Sequence, residues 1–344
     1  MNKRVLLGMS GGVDSAVAAY LLKEKGYDVI GVTMTLCGDN SEDIKDAKRV
    51  AETVGIEHIT VDFSTDFKEK VVDSFVKCYK DGGTPNPCVE CNKYIKFGKM
   101  FELAGEMNAY YIATGHYARI ERSEDGKYVL KKAKDLSKDQ TYMLYNLSED
   151  MLSKILFPLG ELSKTEAREI ADREGFVNAH KKDSQDICFV PDGQYAEFIE
   201  SMTGERFPDG DFVTTDGTIV GRHNGIIRYT VGQRKGLGVA FGHPVFVVSK
   251  NVGDNTVVLG ENEELFTTSL TAHDVNLISR DVFTDSTRVL AKIRYNQTEQ
   301  PASAVSIGEG KIRIDFDMPQ RAVARGQSVV LYDGDTVLGG GIID

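Results

Sequence analysis

Two groups of residues carry the chemistry of this 344-residue chain. The first is the run Gly8-Met9-Ser10-Gly11-Gly12-Val13-Asp14-Ser15, which follows a short apolar segment and leads straight into helical spacing. Glycines reach backbone dihedrals that other residues avoid and bring N–H groups close to an anion. Ser10 and Ser15 add hydroxyl donors, and a helix N-terminus adds partial positive charge. The run reads as a phosphate cradle, without the lysine of a Walker A loop. The second group is cysteine. Asn86-Pro87-Cys88-Val89-Glu90-Cys91-Asn92-Lys93 lies in a turn-rich stretch, and Ser184-Gln185-Asp186-Ile187-Cys188 lies far downstream. A thiol at a helix N-terminus or beside a cation loses its proton more readily, and Cys91 precedes both a predicted helix and Lys93. That placement suits a nucleophile. Cys37, near a strand end, and Cys78, on a helical face, read as plain small side chains.

The elements that must position these residues alternate through the first half. Arg4–Gly8, Asp28–Met34, Glu57–Asp62 and Tyr110–Thr114 read as strands. Ala16–Lys25, Ser41–Val54, Asp66–Tyr79 and Tyr94–Met107 read as helices, with Ser41 as a cap and Gly26 and Gly55 as stops. Ser163 to Glu166 has capping-box spacing at the head of one more helix running to Glu174. Alternating β and α segments imply a parallel sheet wrapped by helices, with ligands at the carboxyl ends of the strands. After about residue 205 the texture turns to short alternating strands. Val245–Ser249, Thr256–Leu259, Arg288–Tyr295, Lys311–Phe316 and Ser328–Tyr332 are candidates, and Asp333-Gly334 is a hairpin turn signal.

Hydrophobic residues make up 41% and charged residues 27%, with 34 Gly and 8 Pro, so the chain is expected to bury a real core in two or three units. Its apolar runs are far shorter than a membrane span, and Met1–Leu7 lacks a signal-peptide core. Neither secretion nor membrane insertion is expected. Five cysteines without such a signal fit a reducing compartment, the cytoplasm. The formal net charge of −11 offers no overall positive field to nucleic acid. Local cations nevertheless bunch at Lys131–Lys134, Lys181–Lys182 and Arg228–Lys235.

Ser-Gly-Gly-Val-Asp-Ser in its strand-loop-helix setting resembles the pyrophosphate (PP) loop of the adenine-nucleotide α-hydrolase group, enzymes that split ATP between its α and β phosphates to adenylate a substrate. Further strings follow in order: Pro85-Asn86-Pro87 with its cysteine and Asn92-Lys93, Ala113-Thr114-Gly115-His116-Tyr117, Lys138-Asp139-Gln140-Thr141-Tyr142, and Ser184 to Cys188. Together with Tyr229-Thr230-Val231-Gly232-Gln233-Arg234-Lys235-Gly236-Leu237-Gly238 and Lys292-Ile293-Arg294-Tyr295, they make the chain resemble the bacterial-type tRNA-specific 2-thiouridylase (MnmA) family over nearly its whole length.

That resemblance implies an α/β architecture. A doubly wound parallel-sheet PP-loop ATPase domain would span 1–204, a small tRNA-contacting central domain 205–270 and a β-barrel-like domain 271–344. It implies a sulfurtransferase that uses ATP and Mg2+ to adenylate the C2 oxygen of the wobble uridine in tRNAs for Lys, Glu and Gln, forming AMP and diphosphate. Sulfur then replaces that oxygen, delivered as a persulfide from a cysteine desulfurase or sulfur-relay protein. Gly8 to Ser15 would hold ATP with Asp14 catalytic, Met34 would cover the adenine, and Gly115 would approach the nucleotide. Cys91 matches the family's nucleophile and Cys188 the persulfide carrier, the two forming a disulfide after sulfur is released. Asn86, Pro87 and Cys88 would touch the target base. His116, Lys138, Asp139, Gln140, Arg294, Tyr295 and Gln327 would touch tRNA, although His116 also reads as an ordinary buried histidine.

One departure leaves an alternative open. Cys88 stands where many members of the family carry Asp, and with Cys91 and Cys188 it supplies three thiolates, the number that would hold a [4Fe-4S] cluster with one iron open to sulfide. A rival class shares the loop and makes amide or C–N bonds, but those ligases need no paired cysteines.

Overall fold

The computed structural model describes residues 3–38, 40–181, 187–190, 193–278, 283 and 285–344. Its first half contributes seven strands: β1 (Arg4–Gly8), β2 (Asp28–Thr35), β3 (Glu57–Asp62), β4 (Tyr111–Ala113), β5 (Ala118–Arg122), β6 (Tyr128–Lys132) and β7 (Ile155–Leu156). Five of them form a parallel sheet in the order β3-β2-β1-β4-β7. The run Val5-Leu6-Leu7 is fully apolar because β1 is buried on both faces, as a central parallel strand must be. Val5 and Leu7 pack into one apolar cluster with Val17 of α1 (Val13–Glu24) and Val50 of α2 (Ser41–Val54), and Leu6 packs into another with Phe97 and Met100. Each such buried side chain contributes about 1.5–3 kcal/mol. Strand order reverses direction between β1 and β4, so the crevice outside their carboxyl ends is where a ligand belongs.

The back half is β, as the texture of the sequence predicts. β8 (Gly210–Thr214), β9 (Ile219–His223), β10 (Phe246–Asn251) and β11 (Thr256–Gly260) form one sheet in the order β10-β11-β8-β9. β12 (Phe266–Leu277), β13 (Thr287–Lys292), β14 (Gln300–Gly308), β15 (Lys311–Arg321), β16 (Ser328–Asp333) and β17 (Thr336–Ile343) run β12-β15-β14-β13-β16-β17. Pairing of β12 with β17 closes them into a six-stranded barrel, which removes both sheet edges. Asp333-Gly334 turns β16 into β17, with Gly334 at φ 58°.

Three features differ from the sequence reading. The stretch 81–92 is not all turn: a helix runs from Pro87 through 106, widened out of α geometry into i→i+5 bonding over Cys91–Lys99. Pro87 opens it because a first-turn residue needs no N–H, and the Asn86 side chain caps it by accepting the Cys88 N–H at 3.2 Å. Cys91 therefore lies one turn inside the helix rather than ahead of it. Second, α1 starts at Val13, directly on the glycine loop, instead of Ala16.

Third, β5 and β6 form a hairpin that leaves the parallel sheet and joins the barrel through Thr336↔Lys131. Tyr142 Oη donates to the Ser328 carbonyl at 2.8 Å, and Asn276 Nδ2 donates to the carbonyls of Tyr145 at 2.6 Å and Leu147 at 3.1 Å. The apolar cluster under these bonds mixes Leu130, Tyr142 and Tyr145 with Val330, Tyr332 and Val337. Front domain and barrel thus share one core. Among the described residues no helix is long and apolar enough to cross a membrane.

Candidate active site

The glycine loop is held from beneath, leaving its helix start clear. Gly11 has φ +71°, and a Cβ there would stand 2.5 Å from the Asp43 carbonyl oxygen, so only glycine fits. The Gly11 carbonyl accepts Asn178 Nδ2 at 3.0 Å and Lys181 Nζ at 3.3 Å. Lys181 also pairs with Asp43 at 2.7 Å and Asp46 at 2.8 Å, locking the loop to α2. Ser15 Oγ accepts the Ser10 N–H at 3.2 Å and donates to the Gly12 carbonyl at 3.0 Å. No side chain caps α1. The first N–H groups of α1 have no intrahelical acceptor and face the crevice as an anion site.

Around this cradle the sequence-assigned residues converge. A Cβ on Gly115 would lie 2.8 Å from the Asp14 carbonyl carbon and the Ser15 nitrogen, so the turn after β4 lies directly against the loop. Met34 is half-buried at the end of β2, and its methyl would be 3.8 Å from a Cβ on Gly8. Asp14 accepts Tyr117 Oη at 2.9 Å and Lys164 Nζ at 2.8 Å on both carboxylate oxygens. Lys164 is largely buried and is a cation that motif reading missed. The capping box at Ser163, observed as predicted, was its only signal: it fixes the head of the helix Lys164–Arg173 and aims its first side chain at the loop.

The thiols gather at the same edge of the sheet. Cys37 follows β2 and packs against the apolar cluster that holds Cys91 and Phe189, the neighbour of Cys188. Cys188 is exposed but anchored by its neighbour Phe189, whose ring lies 5.5 Å from Phe67 and 5.2 Å from Phe75. The Cys37 thiol, aided by the Lys96 ammonium, brings Cys188 down to about 7. Cys91 is buried, and burial pushes its thiol up to about 11 despite Lys96. Cys88 is exposed in the first turn of its helix. The cation serving these thiols is Lys96, one turn beyond the Lys93 that spacing suggested. Lys93 instead stacks on Tyr94 at 5.0 Å. Ser184, Gln185 and Asp186 lie outside the described residues.

Cys88, Cys91 and Cys188 can be tested as a cluster cradle. Among the described residues no three His, Cys, Asp or Glu side chains are gathered so as to hold a metal ion. The trio as arranged does not fit an iron-sulfur cluster, and no chemical step is derived through one.

The residues assigned to tRNA divide. Gln327 Nε2 donates to the carbonyls of Thr84 at 2.8 Å and Pro85 at 3.2 Å, so the barrel grips the Pro85-Asn86-Pro87 loop. A cavity of about 280 Å³ opens there, lined by Asn86, Glu90, His273 and Arg325 among others. Tyr295 lies 6.1 Å from Tyr142 and within the electrostatic reach of Cys88. Arg294 is half-buried and donates to the Ala322 carbonyl. Lys138 is exposed. Asp139 is buried, accepting the Ala133 N–H at 3.0 Å and Thr141 Oγ1 at 2.6 Å, and Gln140 Oε1 accepts the Tyr117 N–H at 2.9 Å. These two organise the turn from inside. His116 is also buried, bonded to Thr114 Oγ1 at 2.7 Å and stacked on Phe97, and burial holds it well below the usual histidine range, hence neutral.

With this geometry established, comparison with known proteins is informative. Residues 3–192 match the model of the tRNA methyl transferase HUP domain, 196–261 its PRC-barrel domain, and 267–343 the aminomethyltransferase beta-barrel domain. The chain is 51% identical to the tRNA-specific 2-thiouridylase MnmA of Clostridioides difficile, over 100% of this chain and 99% of that protein. It is 50% identical to the enzyme of the same name from Lachnoclostridium phytofermentans, over 99% of each. A Thermoanaerobacter protein named tRNA-specific 2-thiouridylase MnmA 1 is 50% identical, over 100% of this chain and 98% of its own.

Proposed function

The chain belongs to the tRNA-specific 2-thiouridylase family, and from that premise we propose how its residues divide the work of an ATP-dependent tRNA sulfurtransferase. The glycine loop and the uncapped start of α1 bind the phosphates of ATP. Asp14 is the carboxylate at the loop suited to a Mg2+ ion accompanying them, and Lys164 beside it is the cation that balances diphosphate charge. With Met34 and the Gly115 turn on either side, the α-phosphorus faces the tRNA crevice. The C2 oxygen of the wobble uridine attacks it, diphosphate leaves, and the base carries AMP, a far better leaving group than oxide.

Sulfur arrives on Cys188 as a persulfide, passed on by a cysteine desulfurase or a relay protein, and its outer sulfur displaces AMP from C2. Cys188 suits the carrier role because it is exposed and ionises near neutrality; Cys91 stands beside it as the buried second thiol. Asn86, Pro87 and Cys88 present the base, with Arg294, Tyr295, Lys138 and Gln327 toward the tRNA, from tRNAs for Lys, Glu and Gln. The division into units 1–204, 205–270 and 271–344, and a cytoplasmic location, belong to the same reading.

The observation that carries this reading is one sheet edge bearing both devices. The glycine loop leaves β1, and the segment that leaves the adjacent β2 packs Cys37 against the cluster holding Cys91 and Phe189, next to Cys188. The test is to incubate the protein with ATP, Mg2+, unmodified tRNA and a persulfide-loaded donor, following AMP, diphosphate and 2-thiouridine together. AMP and 2-thiouridine are expected in step. ADP accumulating in step with thiolation would overturn the loop assignment.

A further inference from the structure

The carbonyls of the loop that carries Asn86 and Pro87 are held by side chains from outside the front domain. After the helix Asp73–Lys80, the Asp81 carbonyl accepts Arg325 Nη1 at 3.0 Å and the Gly83 carbonyl accepts Lys250 Nζ at 3.4 Å. The next two, Thr84 and Pro85, accept Gln327 Nε2, and the Thr84 N–H donates to the Arg325 carbonyl at 2.8 Å. Arg325 and Gln327 come from the barrel segment before β16, while Lys250 comes from β10 of the separate four-stranded sheet. No space is left between the three. A Cβ on Gly82, at φ +79°, would stand 2.9 Å from Val252 Cγ2, and Cβ atoms on Gly83 and Gly326 would each stand 2.6 Å from Cys78 Sγ.

Lys250 is fixed at its other side. Its ammonium donates to the Tyr229 carbonyl at 2.9 Å, and the buried Tyr229 ring lies 5.1 Å from Phe212 and 5.6 Å from His223 in the core of the central domain. Three residues back on the same strand, the Val247 N–H donates to the Gln233 carbonyl at 2.9 Å and the Val247 carbonyl accepts the Gly232 N–H at 2.8 Å. One strand thus holds both the base-presenting loop and the segment that bears the exposed Arg234 and Lys235.

We propose that Lys250 is a positioning residue for the target uridine, fixing the Asn86-Pro87 loop at a set distance from the cations of the central domain. A tRNA seated on those cations then delivers its wobble base in line with the α-phosphorus. The proposal rests on the 2-thiouridylase reading. Lys250 suits direction more than stability. Burial draws its ammonium down to about 8, with the Cys78 thiol opposing, and its bonds run to carbonyls. Replacing a buried cation by an apolar chain of similar volume often costs little stability. A reacting group displaced by about 1 Å, by contrast, loses on the order of 10²-fold in rate.

The experiment compares the full-length parent with Lys250→Met and Gly82→Ala, the second driving a Cβ onto Val252 from the loop side of the same joint. AMP formation is measured with ATP, Mg2+ and unmodified tRNA, and persulfide loading of Cys188 from a donor without tRNA. Both variants should lose at least about tenfold in kcat for AMP formation. Their tRNA Kd should stay within about twofold, because phosphate contacts supply most of that affinity. Cys188 loading should be unchanged and melting temperature within about 3 °C of the parent. Burial pushes the Cys78 thiol up to about 11, so it reacts slowly while the joint is closed. Its alkylation by N-ethylmaleimide should be at least about fivefold faster in both variants. Loss of Cys188 loading in parallel with AMP formation and melting temperature would mark a structural residue and overturn the proposal. A rise in KM with kcat unchanged would mark a tRNA contact and overturn it as well. Full kcat in both variants beside an active parent would overturn the proposal alone, whereas a parent forming no AMP on tRNA would overturn the 2-thiouridylase reading with it.

Discussion

Lys164 Nζ lies 2.8 Å from each carboxylate oxygen of Asp14, bridging residues 150 positions apart across the mouth of the glycine loop. The pair joins the first turn of α1 to the first turn of the helix Lys164–Arg173. It supplies the cation that the loop itself lacks. Any phosphate entering the cradle meets an ammonium already oriented by a carboxylate and by the Tyr117 ring, 5.9 Å away.

Asp14→Asn and Lys164→Met should therefore each cut AMP formation on the order of 10²-fold, the usual cost of one preorganised charge in a reacting site. tRNA affinity should change little. Asp14→Asn should also lower stability by about 1–2 kcal/mol. That is less than the roughly 3–5 kcal/mol for breaking a fully buried pair, because the Asp14 side chain is 31% exposed. Diphosphate release and thermal denaturation check the two halves; unchanged diphosphate release in both variants would remove the pair from the chemistry.

Alkylation of Cys188 should titrate near pH 7, since the Cys37 thiol and then Lys96 draw its thiol down to about 7. The thiolate is the reactive form, so reactivity rises through that pH and stays flat above it, while an ordinary thiol is still gaining toward pH 9. Lys96→Gln removes a favourable charge and should move the midpoint upward. Iodoacetamide labelling of the Cys188 peptide across pH 5–10 measures both, and an unshifted midpoint in the variant would show that Lys96 does not act on this thiol.

Much of this architecture is legible in the sequence, and what escapes is physically instructive. Local signals located four of the five parallel strands, the glycine loop and the Ser163 cap, because each is set within a few residues; the two-residue strand Ile155–Leu156 is too short to leave a pattern. The hairpin Ala118–Lys132 escaped because its purpose is tertiary: its edge is completed by Thr336, which no local window contains. Lys164 escaped for the same reason. A lysine at a helix start becomes a chemical group only when Asp14 arrives from 150 positions away in the chain. Local charge misled as well. Arg228 suggests a phosphate contact, yet the fold commits it to Glu197 and to Glu200 at 3.0 Å.

Binding of tRNA should fall with salt through Arg234 and Lys235, which are exposed in the central domain. Each phosphate contact removed lowers the slope of log affinity against log salt by about 1. The double substitution to alanine should thus reduce the slope by about 2, and Arg228→Ala should leave it nearly unchanged. Point variants are needed here, since deleting 271–344 would strip Val330, Tyr332 and Val337 from the core shared with Tyr142 and Tyr145. Filter binding from 50 to 300 mM salt distinguishes the outcomes; a slope unaltered by the double variant would place the phosphate contacts elsewhere.

The three cysteines of the family motifs should separate sharply under substitution. Cys188→Ser removes the only group assigned to carry sulfur, and tRNA thiolation should drop to background while AMP formation persists. Cys91→Ser removes a thiol buried against the aromatic floor beneath Cys188, and loss of most thiolation is expected there too. Cys88 differs in kind, because it is exposed and its backbone N–H, not its thiol, donates to the Asn86 cap. Cys88→Asp keeps that N–H and adds a carboxylate near the positive end of the helix, a favourable placement by about 0.3–1 kcal/mol. Its thiolation rate should stay within a few-fold of the parent when the donor is a persulfide. If all three thiols instead bound one metal cluster, Cys88→Asp would disturb it as Cys91→Ser and Cys188→Ser do. Anaerobic purification, iron and sulfide analysis and assay of the three variants side by side therefore decide the sulfur route. A brown protein that loses activity on chelation and in Cys88→Asp would overturn persulfide transfer and leave tRNA 2-thiolation intact.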